Sequence, residues 1–170
     1  MAASIPISEQ RYLSSIFEPD AEFVDSEIRE RHVGTYDQGD WQQAIQRYFA
    51  DHAKPWNVRS IPELRIRIRE GKYRIPDVTV LDRAGEKEQV VTRSPLAVFE
   101  VLSPDDLAAE LFEKLEDYSS IRIRDVWVVD PKTETFRRYI EGCLEPALLF
   151  ESPERGIVFE MSEIRAYLQD

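Results

Sequence analysis

Pro76-Asp77-Val78-Thr79-Val80-Leu81-Asp82 and, after a polar loop, Leu96-Ala97-Val98-Phe99-Glu100-Val101-Leu102 decide how this chain is read. The first run opens on a proline and the second follows one, and both are rich in β-branched and aromatic residues, the pattern of strands. The second is apolar on both faces, so it belongs in the centre of a sheet, and Glu100 is its one exception. Side chains alternate along a strand, which places Leu96, Val98, Glu100 and Leu102 on one face. A lone carboxylate buried there costs several kcal/mol unless it has a partner. Asp77 stands at the start of the preceding strand, where the missing donor of Pro76 is harmless. Two acids on neighbouring strands can share a cation.

The segment after Glu100 supplies a third group. Ser103-Pro104-Asp105-Asp106 reads as an N-cap with an acid three residues on, opening a helix from about Leu107 to Ser120. At about 100° per residue, Leu107, Leu111, Lys114, Leu115 and Tyr118 fall in one stripe, so Lys114 sits inside the apolar face. Such a lysine either snorkels outward or meets buried acids. Acid, acid and lysine together suit phosphodiester hydrolysis. Hard oxygen ligands hold magnesium or manganese, and the ammonium orients water or stabilises developing charge. The same residues equally fit a structural Glu100–Lys114 ion pair beside an acid that caps a strand start, and spacing alone leaves both readings open.

Outward from this centre, the pattern predicts a short helix over Ile7–Ile16 and a tight hairpin over Glu22–Arg31 turning at Asp25-Ser26. A long amphipathic helix follows over Asp40–Ala53, with Trp41, Ala44, Ile45, Tyr48 and Phe49 on its apolar side and Pro55 ending it. Glu63–Arg69, with Leu64, Ile66 and Ile68 facing the core, turns at Glu70-Gly71-Lys72 to pair with Pro76–Asp82. Strands are expected at Asp125–Asp130, Thr135–Ile140 and Leu148–Glu151, and Ser162 caps a last short helix through Tyr167. This order predicts an α/β fold, a mixed central sheet flanked by helices, in one domain spanning residues 1–170.

Composition narrows the function. The chain has 170 residues, 42% of them hydrophobic, enough for a real core. The opening stretch has no basic, long apolar segment, and no run is long enough to span a membrane, so a soluble, cytoplasmic protein is expected. Cys143 has no disulfide partner, and with His32 and His52 it makes no zinc set. It follows Gly142 with no nearby base, which suits a buried or idle thiol rather than a nucleophile. Ser103 lies in no G-x-S-x-G turn and the six glycines form no phosphate loop, which sets aside serine hydrolases and nucleotide-binding enzymes. A net charge of -11 opposes general attraction to nucleic acid, though a metal site itself needs uncompensated carboxylates. The densest basic segment, Arg65, Arg67, Arg69, Lys72 and Arg74, could follow a phosphate backbone, but a solvated edge hairpin is the favoured reading. Trp41 and Trp127 sit among apolar residues and read as core rather than as stacking platforms for bases.

Pro76-Asp77-Val78, Phe99-Glu100-Val101-Leu102-Ser103-Pro104, Lys114 with Tyr118, and Val126-Trp127-Val128-Val129-Asp130-Pro131, in this order, resemble a restriction-endonuclease family of the PD-(D/E)XK nuclease superfamily. The resemblance covers about Tyr12 to Tyr139. It implies a restriction-endonuclease-like fold, with Asp77, Glu100 and Lys114 as the catalytic core and Mg2+ or Mn2+ as cofactor. DNA would be the substrate, cut to leave a 5′-phosphate, and the protein would act as a homodimer. The superfamily's lysine two residues after the glutamate corresponds here to Leu102, so the lysine comes from the following helix, matching Lys114. The resemblance further implies the backbone carbonyl of Val101 as a metal ligand and an acid of the N-terminal hairpin, Glu27, as another. Ser26 stands where the family has glycine in the hairpin turn, and Arg122 and Val126 replace a Gly and a Tyr. A fold kept without catalysis, as a binding or accessory protein, is the alternative function.

Overall fold

The computed structural model describes residues 7–168; residues 1–6 of the opening stretch lie outside it. In chain order the elements are α1 Glu9–Leu13, β1 Ala21–Val24, β2 Glu27–Glu30, α2 Tyr36–Asp51, α3 Ala53–Trp56, β3 Val58–Pro62, β4 Ile66–Arg69, β5 Lys72–Arg74 and β6 Val78–Asp82. They continue with β7 Ala97–Val101, α4 Ala108–Ser120, β8 Asp125–Asp130, β9 Thr135–Ile140, β10 Cys143–Pro146, β11 Leu149–Ser152, β12 Ile157–Glu160 and a 3-10 segment Met161–Leu168.

A six-stranded sheet, order β10-β9-β8-β7-β6-β3, forms the centre. It is mixed: β7 and β8 run parallel, joined through α4, and the other neighbours are antiparallel. The apolar run of β7 explains its central place, since both its faces are covered. Ala97, Phe99 and Val101 pack with Trp41, Ile45 and Phe49 of α2, while Val98 on the opposite face packs with Leu115 and Tyr118 of α4. Leu102 belongs to the α4 side as expected, but Leu96, which precedes the strand, packs with the α2 layer. Trp127 is fully buried in that layer.

A second sheet, order β2-β1-β5-β4, is built from the N-terminal hairpin and the β4–β5 hairpin. Its aromatic residues Phe23 and Tyr73 pack with Tyr12 of α1. The hairpin turns at Asp25-Ser26, both at positive φ (53° and 71°), the conformation that matches the twist of two-residue hairpin loops. Ser26 therefore occupies a left-handed position where glycine is easier to accommodate.

The pairing of Pro76–Asp82 differs from expectation. Ile66–Arg69 pairs with the short β5, and Val78–Asp82 belongs to the other sheet, between β3 and β7. Pro76 accounts for the break: it cannot donate to a ladder, and the chain passes there from one sheet to the other. Leu64, Ile66 and Ile68 do pack in the α4-side core. The long helix starts at Tyr36, not Asp40, because the Thr35 side chain caps the Gln38 N–H, and the exposed Gly39 rides within it. Pro55 lies inside α3 instead of ending the long helix. Ser103 is not an N-cap. Its N–H donates to Asp106 Oδ2 (2.7 Å) in a turn ahead of α4, which begins at Ala108.

Candidate functional site

Antiparallel register brings the two acids together. Val78 pairs with Phe99, so one step further along the same register Asp77 faces Glu100, and directly opposed residues project from the same sheet face. Asp77 is 2% and Glu100 5% exposed. Asp77 is fixed by the Val101 N–H, which donates to its Oδ2 at 2.7 Å. Over this face runs α4, whose stripe places Lys114 Nζ 3.8 Å from Glu100 Oε2. One turn on, the Tyr118 hydroxyl donates to Glu100 Oε1 at 2.6 Å. Asp77, Glu100, Val101 and Lys114 all line one cleft of about 300 Å³.

The structure brings in further residues. Glu22 of β1, 3% exposed, lines the cleft and lies 3.6 Å from Lys114 Nζ. Its carboxylate also accepts from the Ile75 N–H (3.0 Å) and Arg74 Nη1 (2.9 Å). Glu27 stands apart: it is exposed beside the hairpin turn and does not line the cleft. Coverage explains the exchange of acids, since β1 is buried on both faces and the turn end of β2 is not. Arg31, just past β2, places Nη2 2.6 Å from Asp77 Oδ1. Gln38 of α2 donates from Nε2 to the Val101 carbonyl (3.0 Å), leaving its Oε1 buried with no donor.

Burial sets the electrostatics. It pushes the Glu100 carboxyl up to about 7, against the pull of Lys114 and with the added repulsion of Asp77 and Glu22. Asp77 is likewise raised by burial, opposed by Arg31 and the Val101 N–H. Burial works against the Lys114 ammonium, but Glu100, Glu22 and Asp77 outweigh it and hold its affinity for the proton above the usual value. Glu100 therefore binds a proton in the folded chain at pH values where the unfolded chain has lost it. Its contribution to stability is complete below about pH 4.5 and disappears as pH rises through about 7, a loss of about 3 kcal/mol. Urea unfolding in a chelating buffer is expected to show a less stable wild type at pH 8 than at pH 5, with a shallower slope in Glu100→Gln, where Asp77 and Asp125, also raised by burial, still titrate.

Among the described residues no three His, Cys, Asp or Glu side chains form a ready metal cage. The donors present nevertheless fit a hard divalent ion. Two buried carboxylates held at raised pKa line one cleft with Val101 and Gln38, whose carbonyl and side-chain amide oxygens are further hard donors. Magnesium commonly takes one or two carboxylates and keeps water or substrate phosphate in its remaining positions. Six acids against four arginines and lysines line the cleft, an excess that favours a cation.

The basic segment does not form a phosphate track. Lys72 and Arg74 are buried, and Arg74 binds Glu22, Asp117 (2.6 Å) and Glu113 (3.0 Å) while Lys72 binds Asp117 (2.8 Å). Arg65 lies over the Tyr12 ring, and Arg69 pairs with Asp25. Edge strand β4 keeps only its outer charges in water. Cys143 is exposed on β10.

Residues 11–160 match the family described as "Putative restriction endonuclease". The chain belongs to this family. Among solved structures it is similar to a "putative nuclease belonging to DUF820" from Anabaena variabilis, with 19% identity, a TM-score of 0.80, and coverage of 96% of this chain and 99% of that one. The likeness shows that the two chains share a fold, a large mixed sheet flanked by helices. A DrdV–DNA complex aligns over 78% of this chain and 13% of its own at 15% identity and a TM-score of 0.40, too distant to carry an argument. No curated protein matches the chain. No helix among the described residues is long and apolar enough to cross a membrane.

Proposed function

We propose that this protein is a divalent-metal-dependent endonuclease acting on DNA, with Asp77, Glu100 and Lys114 as its catalytic residues. One observation carries the reading: two carboxylates buried side by side across a strand register, under a lysine from the next helix, in one open cleft. Asp77, Glu100 and the Val101 carbonyl would hold Mg2+ or Mn2+, with Gln38 Oε1 as a further oxygen. When bound, the ion polarises the phosphodiester and makes a bound water more acidic. Glu100 and Asp77 would lose their protons readily to such a partner, because burial and neighbouring acids keep them raised and a cation offsets both. Lys114, protonated at neutral pH, faces the same space and stabilises charge developing on the phosphate. Tyr118 and Glu22 hold Glu100 and Lys114 in place. The choice of DNA rests on family membership.

A second reading, a binding protein without catalysis, has its own support in Arg31, whose guanidinium sits on the Asp77 oxygen a metal needs. Supercoiled plasmid and single-stranded DNA, incubated with Mg2+ or Mn2+, separate the two. Nicking that requires metal, and that Asp77→Asn and Glu100→Gln both lose, supports the nuclease. Intact DNA with every metal, or equal nicking by all three proteins, would leave the binding reading.

A further inference from the structure

Arg31 is 13% exposed in its side chain and reaches into the cleft from the end of the hairpin. Its Nη2 lies 2.6 Å from Asp77 Oδ1, and its Nη1 donates to Glu63 Oε1 at 3.1 Å. The other Asp77 oxygen is already taken by the Val101 N–H. The oxygen without a backbone donor is therefore the one this guanidinium covers, and a divalent ion placed on it would stand close to a second cation that repels it. We propose that Arg31 is an internal counter-cation for Asp77, which gives up that carboxylate when a divalent ion binds and turns its guanidinium to the substrate phosphodiester.

This rests on the nuclease reading and adds a substrate-contacting residue to it. Glu63 is 56% exposed, so its hold on the released guanidinium is weak and competes little with phosphate. The planar fork of arginine suits two phosphate oxygens, which a lysine cannot match in geometry. The exchange also answers the acid excess of the cleft: a nucleic acid meets a free cationic fork only once the metal is in place. Metal and DNA then help each other bind, and Arg31 opposes the metal alone.

The test measures Mn2+ binding by calorimetry to wild type, Arg31→Gln, Arg31→Lys and Asp77→Asn. It also measures binding of a labelled DNA duplex with Mn2+, by anisotropy, in a Lys114→Met background. Arg31→Gln is expected to bind Mn2+ at least about fivefold tighter than wild type and the duplex at least about fivefold more weakly, the size of an ordinary coupling between sites. Arg31→Lys, which keeps the charge, is expected to retain near wild-type Mn2+ affinity and to lose duplex affinity. Unchanged or weaker Mn2+ binding in folded Arg31→Gln overturns the exchange, and the nuclease reading survives if wild type binds Mn2+ and Asp77→Asn does not. Should Arg31→Gln fail to fold, unchanged duplex affinity in Arg31→Lys overturns it alone. No Mn2+ binding to wild type overturns both.

Discussion

Lys114→Met is expected to slow metal-dependent cleavage by about two to three orders of magnitude, the usual cost of removing one preorganised charge from a transition state. The ammonium lies 3.6 Å from Glu22 and 3.8 Å from Glu100, longer than ordinary hydrogen bonds, so it is steered by two carboxylates without being locked to either. Its stem leaves the apolar stripe beside Leu115, where methionine keeps the packing. The change removes a cation that opposes the metal, so Mn2+ affinity should hold or rise while single-turnover cleavage falls. Loss of rate together with loss of Mn2+ binding would instead mean that Lys114 acts by holding the acids in place. Arg at this position restores charge but not the compact ammonium, and a partial recovery is expected.

Strong local signals made most of the fold legible. The all-apolar β7, the stripe of α4 and the apolar side of α2 each carry a periodicity that only one arrangement buries. Weaker segments were not legible. β3 (Val58–Pro62) mixes an arginine and a serine into five residues and follows Asn57 at positive φ, which reads as loop. β10 and β12 are short, half-exposed strands whose formation depends on β9 and β11 beside them. Gly39 concealed the start of α2, because a glycine inside an exposed helix turn looks like a boundary. Which strand pairs with which was also hidden, since the transfer at Pro76 depends on two sheets meeting in space.

The candidate site divides in the same way. Asp77, Glu100 and Lys114 could be grouped because each breaks an apolar pattern, and their convergence follows from one strand register and one helix stripe. Arg31, Glu22 and Gln38 break no pattern. Arg31 and Gln38 flank a loop, and Glu22 stands in a four-residue strand where any acid passes for solvent-facing. The signal that marks Glu22 lies in its partners: a buried strand facing Lys72 and Arg74, visible only once β1 and β5 are paired. Tyr118 was placed on the right stripe, but its bond to Glu100 needs the tertiary fold.

Arg74→Met should destabilise the protein by about 3–5 kcal/mol, the range for breaking a buried ion pair from one side. Arg74 is 1% exposed and satisfies Glu22 and Asp117 at 2.9 and 2.6 Å, so its loss removes the guanidinium from the buried Glu22 and half of the cationic pairing of Asp117. Against a total stability of about 5–15 kcal/mol, that is a large share of what holds the chain folded. Lys72 still neutralises Asp117 in the variant, whereas Glu22 keeps the Ile75 N–H and the more distant Lys114 ammonium in place of the guanidinium. Urea unfolding of Arg74→Met, of Glu22→Gln and of the pair makes the cycle that isolates this interaction. The double variant should be more stable than Arg74→Met, because the neutral amide no longer carries an unpaired charge. Additive losses would show that Arg74 acts through Asp117 and Glu113, and that the network tying the second sheet to α4 does not run through the acid that steers Lys114.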